Sequence, residues 1–575
     1  MQTFIDAIRG ALAGETGLDE AELRLEQPRD VALGDFAFPC FPLAKALKKA
    51  PPAIAAELAP RVAARLAGID VQATGPYLNF RVEPALLAER VLQGIATAGD
   101  GYGGSNVGAG KTVVIDLSSP NIAKPMSVGH LRSTVIGAAI QRLHDALGYR
   151  TVGINHIGDW GSQFGKLIAA LDRWGDEVDE DGARVFDLEG DPIKALLALY
   201  VRYHEREDAD PELVEAGKEA FRELESGVDG HVRGTWRRLT ELSLREFDKI
   251  YARLGVKFDE VRGESFYEPY LESTIERIQA SGITEESEGA LIVDLSSIEK
   301  NMAPCLLRKT DGTTLYATRD LAAVFHRHEL YDFERCLYVV GADQRLQFRQ
   351  LTGVLKRMGL AWEPRVEHVD FGMMRLPEGK MSTRAGRVVF LEDVLDRATE
   401  EAKQIILEKN PALPALDQVA EQVGVGAVVF NDLKRERVKD VEFVWSEVLS
   451  FEGDTGPYVQ YTHARLGSIA RKAAERGEGG AAPPDWSALA DARELLLALG
   501  RFPQVVEGAA RAAEPSQVTT YLLGLCREAN SWSARAQVLG QEPSVTAARL
   551  ALASGCKSLI GKGLRLLGVS APEEM

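Results

Sequence analysis

The chain has 575 residues, with 85 Asp and Glu against 67 Lys and Arg, so its net charge is −18. This length allows about three or four domains. The five cysteines include no C-x-x-C pair, which argues against a disulfide framework and a structural zinc site. The chain has no run of about 18 apolar residues, and its first residues do not have the pattern of a signal peptide. We therefore expect a cytoplasmic protein with reduced thiols, no metal site and no membrane association.

Residues 1–108 have the pattern of a small α+β domain. Helical patterns flank Gly34-Asp-Phe-Ala-Phe-Pro39, and the strand-like Tyr77-Leu-Asn-Phe-Arg-Val82 follows a Gly-Pro turn. The Gly-rich residues 99–110 are typical of a linker.

A strand, a loop and a helix then follow in order. The apolar run Thr112-Val-Val-Ile-Asp116 predicts a buried strand, and apolar residues at helical spacing from Leu131 to Leu147 predict a helix. This order places a helix N-terminus at the carboxyl end of a sheet strand, where phosphates bind to unpaired amides and the helix dipole. Thr151-Val-Gly-Ile-Asn155 predicts the second strand, and Asp159 is the predicted N-cap of the next helix.

Alternating strands and helices predict a doubly wound parallel sheet of the Rossmann type, split by a polar, helical insertion. Ala290-Leu-Ile-Val-Asp-Leu295 is interpreted as the return to the sheet domain, and Asp311-Gly312 as the turn of a hairpin. After Arg387 the pattern is largely helical. The predicted domains are an α+β domain (1–108), the catalytic sheet domain (109–175 and 290–395), a helical insertion (176–289), a helical connector (396–454) and an all-α domain (455–575).

Two motifs carry a family resemblance. Ser118-Ser-Pro-Asn-Ile-Ala-Lys-Pro-Met-Ser-Val-Gly-His-Leu-Arg-Ser133 resembles the adenylate-forming signature of bacterial arginyl-tRNA synthetases, which are class I synthetases. Glu378-Gly-Lys-Met-Ser-Thr-Arg384, downstream in the expected order, resembles the lysine-bearing loop of that class. The resemblance implies ATP-dependent ligation of L-arginine to tRNA(Arg) through an arginyl-adenylate, with release of AMP and pyrophosphate.

The expected chemistry assigns roles within both motifs. Gly129 lets the backbone approach the adenine ring, and His130 donates to phosphate oxygens. Lys380 supplies positive charge to the departing pyrophosphate. The chain departs from the class pattern at Ser127, where the class has histidine, and at Thr383, where it has lysine; Arg384 is the candidate replacement for that lysine. The expected ATP-binding residues are Lys124, Gly129, His130, Lys380, Met381 and Ser382, and the expected catalytic residues are Ser127, His130, Lys380 and Arg384.

An arginine side chain is planar, charged and has only donors, so its pocket must present acceptors. The resemblance implies that the residues that recognise arginine are Asp116, Asn121, Tyr316, Asp320 and Gln344. His156 is expected to line the same pocket. Two alternatives stay open from the residues: Asp320 as a plain N-cap and Gln344 as a surface residue. A longer acid is usual in the family at the position of Asp116.

The expected partners are tRNA(Arg), L-arginine and ATP, with Mg²⁺ entering together with ATP, and the expected state is a monomer. The resemblance implies that the N-terminal domain contacts the outer corner of the tRNA, and that the C-terminal domain binds the anticodon. The alternative functions are a non-catalytic paralogue that binds tRNA or arginine, suggested by Ser127, and another class I synthetase.

Overall fold

The computed structural model describes residues 1–28, 30, 32–179, 184–375, 389–442, 444–448, 450, 453–479 and 482–575. The N-terminal residues form a small antiparallel sheet, in the order β1-β3-β2, against helices. Alternate residues of β3, including Leu78, Phe80 and Val82, are fully buried under these helices. The elements are α1 (Gln2–Thr16), β1 (Phe36–Pro39), α2 (Leu43–Leu47), α3 (Pro51–Ala63), β2 (Ile69–Thr74), β3 (Tyr77–Val82) and α4 (Pro84–Ala98).

The following part of the chain contains the parallel sheet. Its elements are β4 (Thr112–Asp116), α5 (Val128–Ala146), β5 (Arg150–Asn155), α6 (Ser162–Trp174), α7 (Pro192–Arg206), α8 (Pro211–Glu225), α9 (His231–Leu254), β6 (Glu260–Val261), α10 (Leu271–Ala280), β7 (Thr284–Ser287), β8 (Ala290–Val293), β9 (Cys305–Arg308), α11 (Tyr316–Tyr331), β10 (Arg335–Tyr338), α12 (Arg345–Arg357), β11 (Val366–His368) and β12 (Met374–Arg375).

Strand order confirms the predicted doubly wound sheet: the strands are parallel in the order β11-β10-β4-β5-β6. β4 is central, and its residues Val113, Val114 and Ile115 are fully buried between helices on both faces. The carboxyl ends of β4, β5 and β10 therefore lie side by side at one edge of the sheet.

The structure differs from the sequence predictions in two stretches. Residues 290–295 do not return to the parallel sheet, because β8 pairs antiparallel with β7 and β9 in a separate sheet; the parallel sheet resumes only at β10. The segment 176–289 is not wholly helical, since β6 forms the edge strand beside β5. A two-residue strand has too short a pattern to be recognised in the sequence.

The predicted N-cap at Asp159 is wrong. α6 begins at Ser162 with Gly161 as its N-cap. The buried Asp159 carboxylate instead accepts hydrogen bonds from the backbone N–H (2.8 Å) and hydroxyl (2.6 Å) of Ser265. The hairpin turn at Asp311-Gly312 is confirmed, but its return arm is a single bridge between Arg308 and Thr314, because α11 begins at Tyr316.

The rest of the chain is largely helical, as predicted. Its elements are α13 (Leu391–Lys409), α14 (Leu416–Leu433), β13 (Val441–Glu442), α15 (Trp445–Val448), α16 (Gly456–Glu475), α17 (Arg493–Gly500), α18 (Phe502–Ala512), α19 (Ser516–Arg535) and α20 (Pro543–Leu567). The five cysteines are buried free thiols. In the described ranges, every helix is too short or too polar to cross a membrane.

Candidate active site

A cavity of about 400 Å³ opens at the carboxyl edge of the parallel sheet. Side chains from the ends of β4, β5 and β10 meet there with the starts of α11 and α12. The cavity contains every residue that sequence reasoning assigned to arginine recognition. Its lining comprises Asp116, Ser119, Asn121, His156, Gly158, Trp160, Gln163, Glu264, Tyr316, Arg319, Asp320, Tyr338, Val340, Gln344, Gln347 and Phe348.

The start of α5 lies beside this cavity, but Ser127, Gly129 and His130 are not part of its lining. Lys124 links the two regions, because its ammonium donates to Gln163 Oε1 at 2.8 Å. Gly129 is exposed in the first turn of α5, so the backbone there is open to a ligand.

His130 has a defined protonation state at the start of α5. Its Nδ1 accepts a hydrogen bond from the Ser127 backbone N–H at 3.1 Å. Burial lowers the pKa of His130 to about 4, and the charge of Lys124 adds to this shift. The hydrogen bond to Ser127 opposes it. The imidazole is therefore neutral at physiological pH and carries its proton on Nε2, as a donor.

Asp116 is a buried carboxylate that already has a cationic partner. Its Oδ2 accepts from Arg327 Nη2 at 2.7 Å, and its Oδ1 accepts from the Ser119 hydroxyl at 2.9 Å. Arg327 is fully buried, and its guanidinium lies 4.9 Å from the centre of the Tyr338 ring. Asp116 thus presents oriented acceptor oxygens to the cavity, while Arg327 offsets its charge.

Asp320 and Glu264 are the two acids of the cavity lining whose pKa values are raised. Asp320 lies in the second turn of α11, whose N-cap is Leu315, so the interpretation of Asp320 as an N-cap is wrong. Burial first, and then the charge of Asp116, raise the pKa of Asp320 to about 6, although Gln347 donates a hydrogen bond to it. Burial raises the pKa of Glu264 to about 8, with Asp159 and Asp320 contributing. The charge of Arg319, which also lines the cavity, opposes both shifts but does not offset the effect of burial. A bound cation would lower both pKa values further.

The other predicted arginine-binding residues differ in exposure. Tyr316 is 60% exposed at the first residue of α11, and Gln344 is an exposed residue at the rim of the cavity. Asn121 packs closely against Gly158. A Cβ atom on residue 158 would lie only 2.1 Å from Asn121 Oδ1. Burial lowers the pKa of His156 to about 4, and its Nδ1 has no hydrogen-bond partner within the described residues.

Comparison with known proteins gives matches along the whole chain. The family described as "tRNA synthetases class I (R), catalytic domain" matches residues 93–445, "DALR anticodon binding domain" matches 459–575, and "Arginyl tRNA synthetase N terminal domain" matches 2–82. The arginine–tRNA ligase of Exiguobacterium sibiricum is 44% identical, over 100% of this chain and 99% of that protein. That of Clostridioides difficile is 43% identical, over 100% of both.

The chain belongs to the arginyl-tRNA synthetase family.

The fold agrees with this membership. The arginyl-tRNA synthetase of Thermus thermophilus superposes with a TM-score of 0.82 at 27% identity, over 100% of both chains. Class I synthetases use ATP, so this arginyl-tRNA synthetase family member binds ATP.

The second motif of the family, which carries Lys380, Met381, Ser382 and Arg384, lies outside the described residues. The described chain that follows it lies beside α5. The Val128 N–H donates to Val389 O at 3.3 Å, and the Leu391 N–H donates to Met126 O at 2.8 Å.

Sequence reasoning missed several lining residues. Ser119 is part of the quoted signature and could have been included from its position. Gln347, in α12, follows the N-cap residue Gln344 by three positions, a spacing that the sequence displays. Glu264, by contrast, lies in a 3-10 helix within the segment interpreted as an insertion, and no local signal distinguishes it from a surface acid. Among the described residues, no group of three or more His, Cys, Asp or Glu side chains is arranged to hold a metal ion.

A second cavity, of about 660 Å³, lies in the C-terminal helical region. Tyr461 lies at its edge with 47% of its surface exposed, and Arg465 is one turn away on α16. The Tyr458 hydroxyl accepts a hydrogen bond from Asn530 at 3.1 Å. The lining residues are Ile406, Lys409, Asn410, Gly453, Tyr458, Tyr461, Arg465, Asn530 and Met575. Aromatic and cationic side chains around an open cavity suit the stacking of an unpaired base.

Proposed function

We propose that the chain ligates L-arginine to tRNA(Arg) through an arginyl-adenylate, consuming ATP and releasing AMP and pyrophosphate. One observation supports this most strongly: two carboxyls with raised pKa values, Asp320 and Glu264, share a cavity with amide acceptors near the start of α5. A bound guanidinium would favour the ionised forms of both acids and donate hydrogen bonds to them, whereas a neutral side chain would leave their raised pKa values unchanged.

In this proposal arginine lies with its guanidinium towards Asp320, Glu264 and Gln344. These oxygens can accept in the fork geometry that a planar guanidinium requires. Asp116 holds acceptors in a fixed orientation through its contacts with Arg327 and Ser119. Asn121, His156 and Tyr316 complete the proposed arginine site at the cavity wall.

ATP is proposed to lie over the start of α5. Gly129 gives the adenine ring access to the backbone, and the Nε2–H of His130 donates to phosphate oxygens. Ser127 adds a hydroxyl donor, and Lys124 adds positive charge. The arginine carboxylate attacks the α-phosphorus and forms the acyl-phosphate bond, and the bond to the β-phosphate oxygen breaks as pyrophosphate departs. Mg²⁺ enters as part of the ATP substrate.

We assign to the second motif the role of neutralising the negative charge on the departing pyrophosphate. Lys380, Met381, Ser382 and Arg384 keep their proposed roles on the strength of the family motif. The position of Val389 and Leu391 beside the start of α5 supports this assignment, because these residues follow the motif directly in the chain.

In the second step the 2′-hydroxyl of the tRNA attacks the adenylate carbonyl, and AMP leaves. We propose that the cavity around Tyr461 and Arg465 receives an anticodon base and that the N-terminal domain contacts the outer corner of the tRNA through Tyr77. Tyr77 supports this contact because its ring, partly exposed, lies edge-on to Phe41, which is 53% exposed. Phe36 and Phe38 do not supply stacking surface there, because both are buried in the N-terminal sheet.

Pyrophosphate exchange tests this function. Exchange is measured with arginine, glutamate or cysteine, each with and without tRNA(Arg), and charging of tRNA(Arg) is measured in parallel. The proposal predicts exchange and charging with arginine alone among these amino acids. Exchange with glutamate or cysteine would show that the chain is another class I synthetase. Arginine binding without pyrophosphate exchange or tRNA charging would favour the non-catalytic alternative.

The monomeric state and the cytoplasmic location stay predictions. Light scattering of the purified protein tests the first, and fractionation of cells that express it tests the second.

A further inference from the structure

The backbone segment 370–374, which follows β11, is fixed between the sheet domain and the helical connector. On one side, the Ala342 N–H donates to Phe371 O at 2.9 Å. On the other, the Gly372 N–H donates to Arg437 O at 2.9 Å. A Cβ at Gly372 would lie 2.5 Å from the carbonyl carbon of Lys439, so this close approach requires glycine.

The side chain of Arg437 joins this segment to the anticodon-binding domain. Its Nη1 donates to Asp370, both to the backbone oxygen and to Oδ1 at 2.8 Å. Its Nε donates to Ala513 O at 3.2 Å, and its backbone N–H donates to the Glu514 carboxylate at 3.2 Å. Ala513 and Glu514 form the turn between α18 and α19. One guanidinium therefore contacts two domains at the same time.

Asp370 continues the connection to the arginine cavity. Its Oδ2 accepts from Arg345 Nε at 2.6 Å, and Arg345 is the first residue of α12. The same helix turn carries Gln344 at the cavity rim and Gln347, which donates to Asp320. Burial alone would raise the pKa of Asp370, but Arg437 and Arg345 hold that pKa below its ordinary value.

We propose that Arg437 is a positioning residue that couples the anticodon-binding domain to the arginine cavity by fixing Asp370 and, through it, the first turn of α12. Neither Arg437 nor Asp370 touches a substrate in this scheme. The inference rests on the proposed function, since it requires that one protein bind both tRNA(Arg) and arginine. Thermodynamic linkage then requires that bound tRNA changes the affinity for arginine and that arginine changes the affinity for tRNA by the same factor.

The experiment measures the dissociation constant of arginine by calorimetry, with the full chain alone and with saturating uncharged tRNA(Arg). The variants are Arg437→Met, Arg437→Lys and Glu514→Gln. The matched control is Arg511→Met, because Arg511 is a 75% exposed arginine of the same domain that pairs with Glu507 on its own helix. Melting temperature and tRNA affinity are measured for each variant.

We expect tRNA to change the arginine dissociation constant of the natural protein and of Arg511→Met by about fivefold or more. In Arg437→Met this factor should fall to within about twofold of unity, while both ligands still bind. In Glu514→Gln it should fall in part, because the amide oxygen still accepts from the Arg437 N–H but carries no charge. Arg437→Lys should keep part of the factor, since a point charge reaches Asp370 or Ala513 but lacks the planar fork.

Three results would overturn the inference: no coupling in the natural protein, unchanged coupling in both Arg437→Met and Glu514→Gln, or loss of tRNA binding in these variants, which would make the contact merely structural. If Arg437→Met does not fold, Glu514→Gln decides, because it changes only the far end of the connection. A natural protein that couples arginine and tRNA binding but charges no tRNA would contradict the proposed function and leave this inference supported.

Discussion

The Asp116 carboxylate and the Arg327 guanidinium form an ion pair in the protein interior, with Oδ2 and Nη2 2.7 Å apart and both side chains almost fully buried. Two charges in such surroundings depend on each other, because removing one leaves the other desolvated without compensation. The wall of the proposed arginine site is therefore also a structural element.

Replacing Arg327 with Met should destabilise the sheet domain by about 3–5 kcal/mol, because Asp116 would remain as an uncompensated buried carboxylate. Urea unfolding followed by tryptophan fluorescence measures this loss. The double variant Arg327→Met with Asp116→Asn should recover part of the stability, since neither charge remains. The control is Arg222→Met, which removes exposed ion pairs with Glu215 and Glu219 and should cost about 0–1 kcal/mol. A cost for Arg327→Met no greater than this control would contradict the account.

Asp320→Asn should raise the KM for arginine by about 10- to 100-fold, since a hydrogen bond to a charged group contributes about 1.5–3 kcal/mol. The KM for ATP should stay near its natural value, because Asp320 lies in the arginine cavity and not at the start of α5. Glu329→Gln is the matched control, because Glu329 is on the same helix but pairs with Arg277 at the surface. If Asp320→Asn and Glu329→Gln changed the KM for arginine equally, Asp320 would not have the proposed role in arginine binding.

The affinity for arginine should fall as the pH is lowered. In the empty cavity the carboxyls of Glu264 and Asp320 have pKa values of about 8 and about 6, and a bound guanidinium favours their ionised forms. Affinity is therefore highest above pH 8, decreases as Glu264 becomes protonated, and decreases again towards pH 6 as Asp320 becomes protonated. Near pH 7, arginine binding should release about one proton, which calorimetry in buffers of different ionisation enthalpy measures.

A Glu264→Gln variant provides the check on this pH dependence. It should lose the step near pH 8 and the proton release at pH 7, and keep the step near pH 6. A variant that still releases a proton at pH 7 would assign that proton to another group.

Ser127→His should raise turnover modestly, by roughly two- to tenfold, because it restores the donor that is usual in the class at the start of α5. Ser127→Ala should lower turnover, since it removes the hydroxyl donor next to His130. Single-turnover adenylate formation measures both. Ala at an N-cap position also costs about 1 kcal/mol of stability, so melting temperatures are compared as a control. Unchanged turnover in both variants would place Ser127 outside the chemistry.

Tyr461→Ala should raise the KM for tRNA about tenfold, because base stacking on an aromatic ring contributes about 1–3 kcal/mol. Tyr461→Phe keeps the ring and should behave almost as the natural protein does. The KM for arginine should stay unchanged in both variants. If Tyr461→Phe and Tyr461→Ala raise the KM for tRNA equally, the hydroxyl, and not the stacking surface, is the important group.

Much of the catalytic domain could be predicted from local pattern. The apolar run ending at Asp116 and the helical spacing from Leu131 onward are properties of short segments, and the structure contains that strand and helix. The grouping of Asn121, Asp320 and Gln344 in one cavity follows from the rule that parallel strands and helix starts meet at the carboxyl edge of a sheet.

The features that could not be predicted depend on tertiary partners. Asp159 resembles an N-cap in the sequence, but burial next to Ser265 gives its carboxylate other donors. Arg327 resembles any helical arginine, and its role becomes evident only when α11 packs against β4 and brings it to Asp116. Glu264 enters the cavity because the edge strand β6 directs the following residues there, and that strand is too short to recognise in advance.

The most direct test of the central claim is a crystal structure with arginine bound. The account predicts that the guanidinium lies within hydrogen-bonding distance of the Asp320 carboxylate, in the cavity that Asp116, Glu264 and Gln344 share, and that the arginine carboxylate points towards the start of α5. Arginine bound with its guanidinium away from Asp320 and Glu264, or outside this cavity, would contradict it.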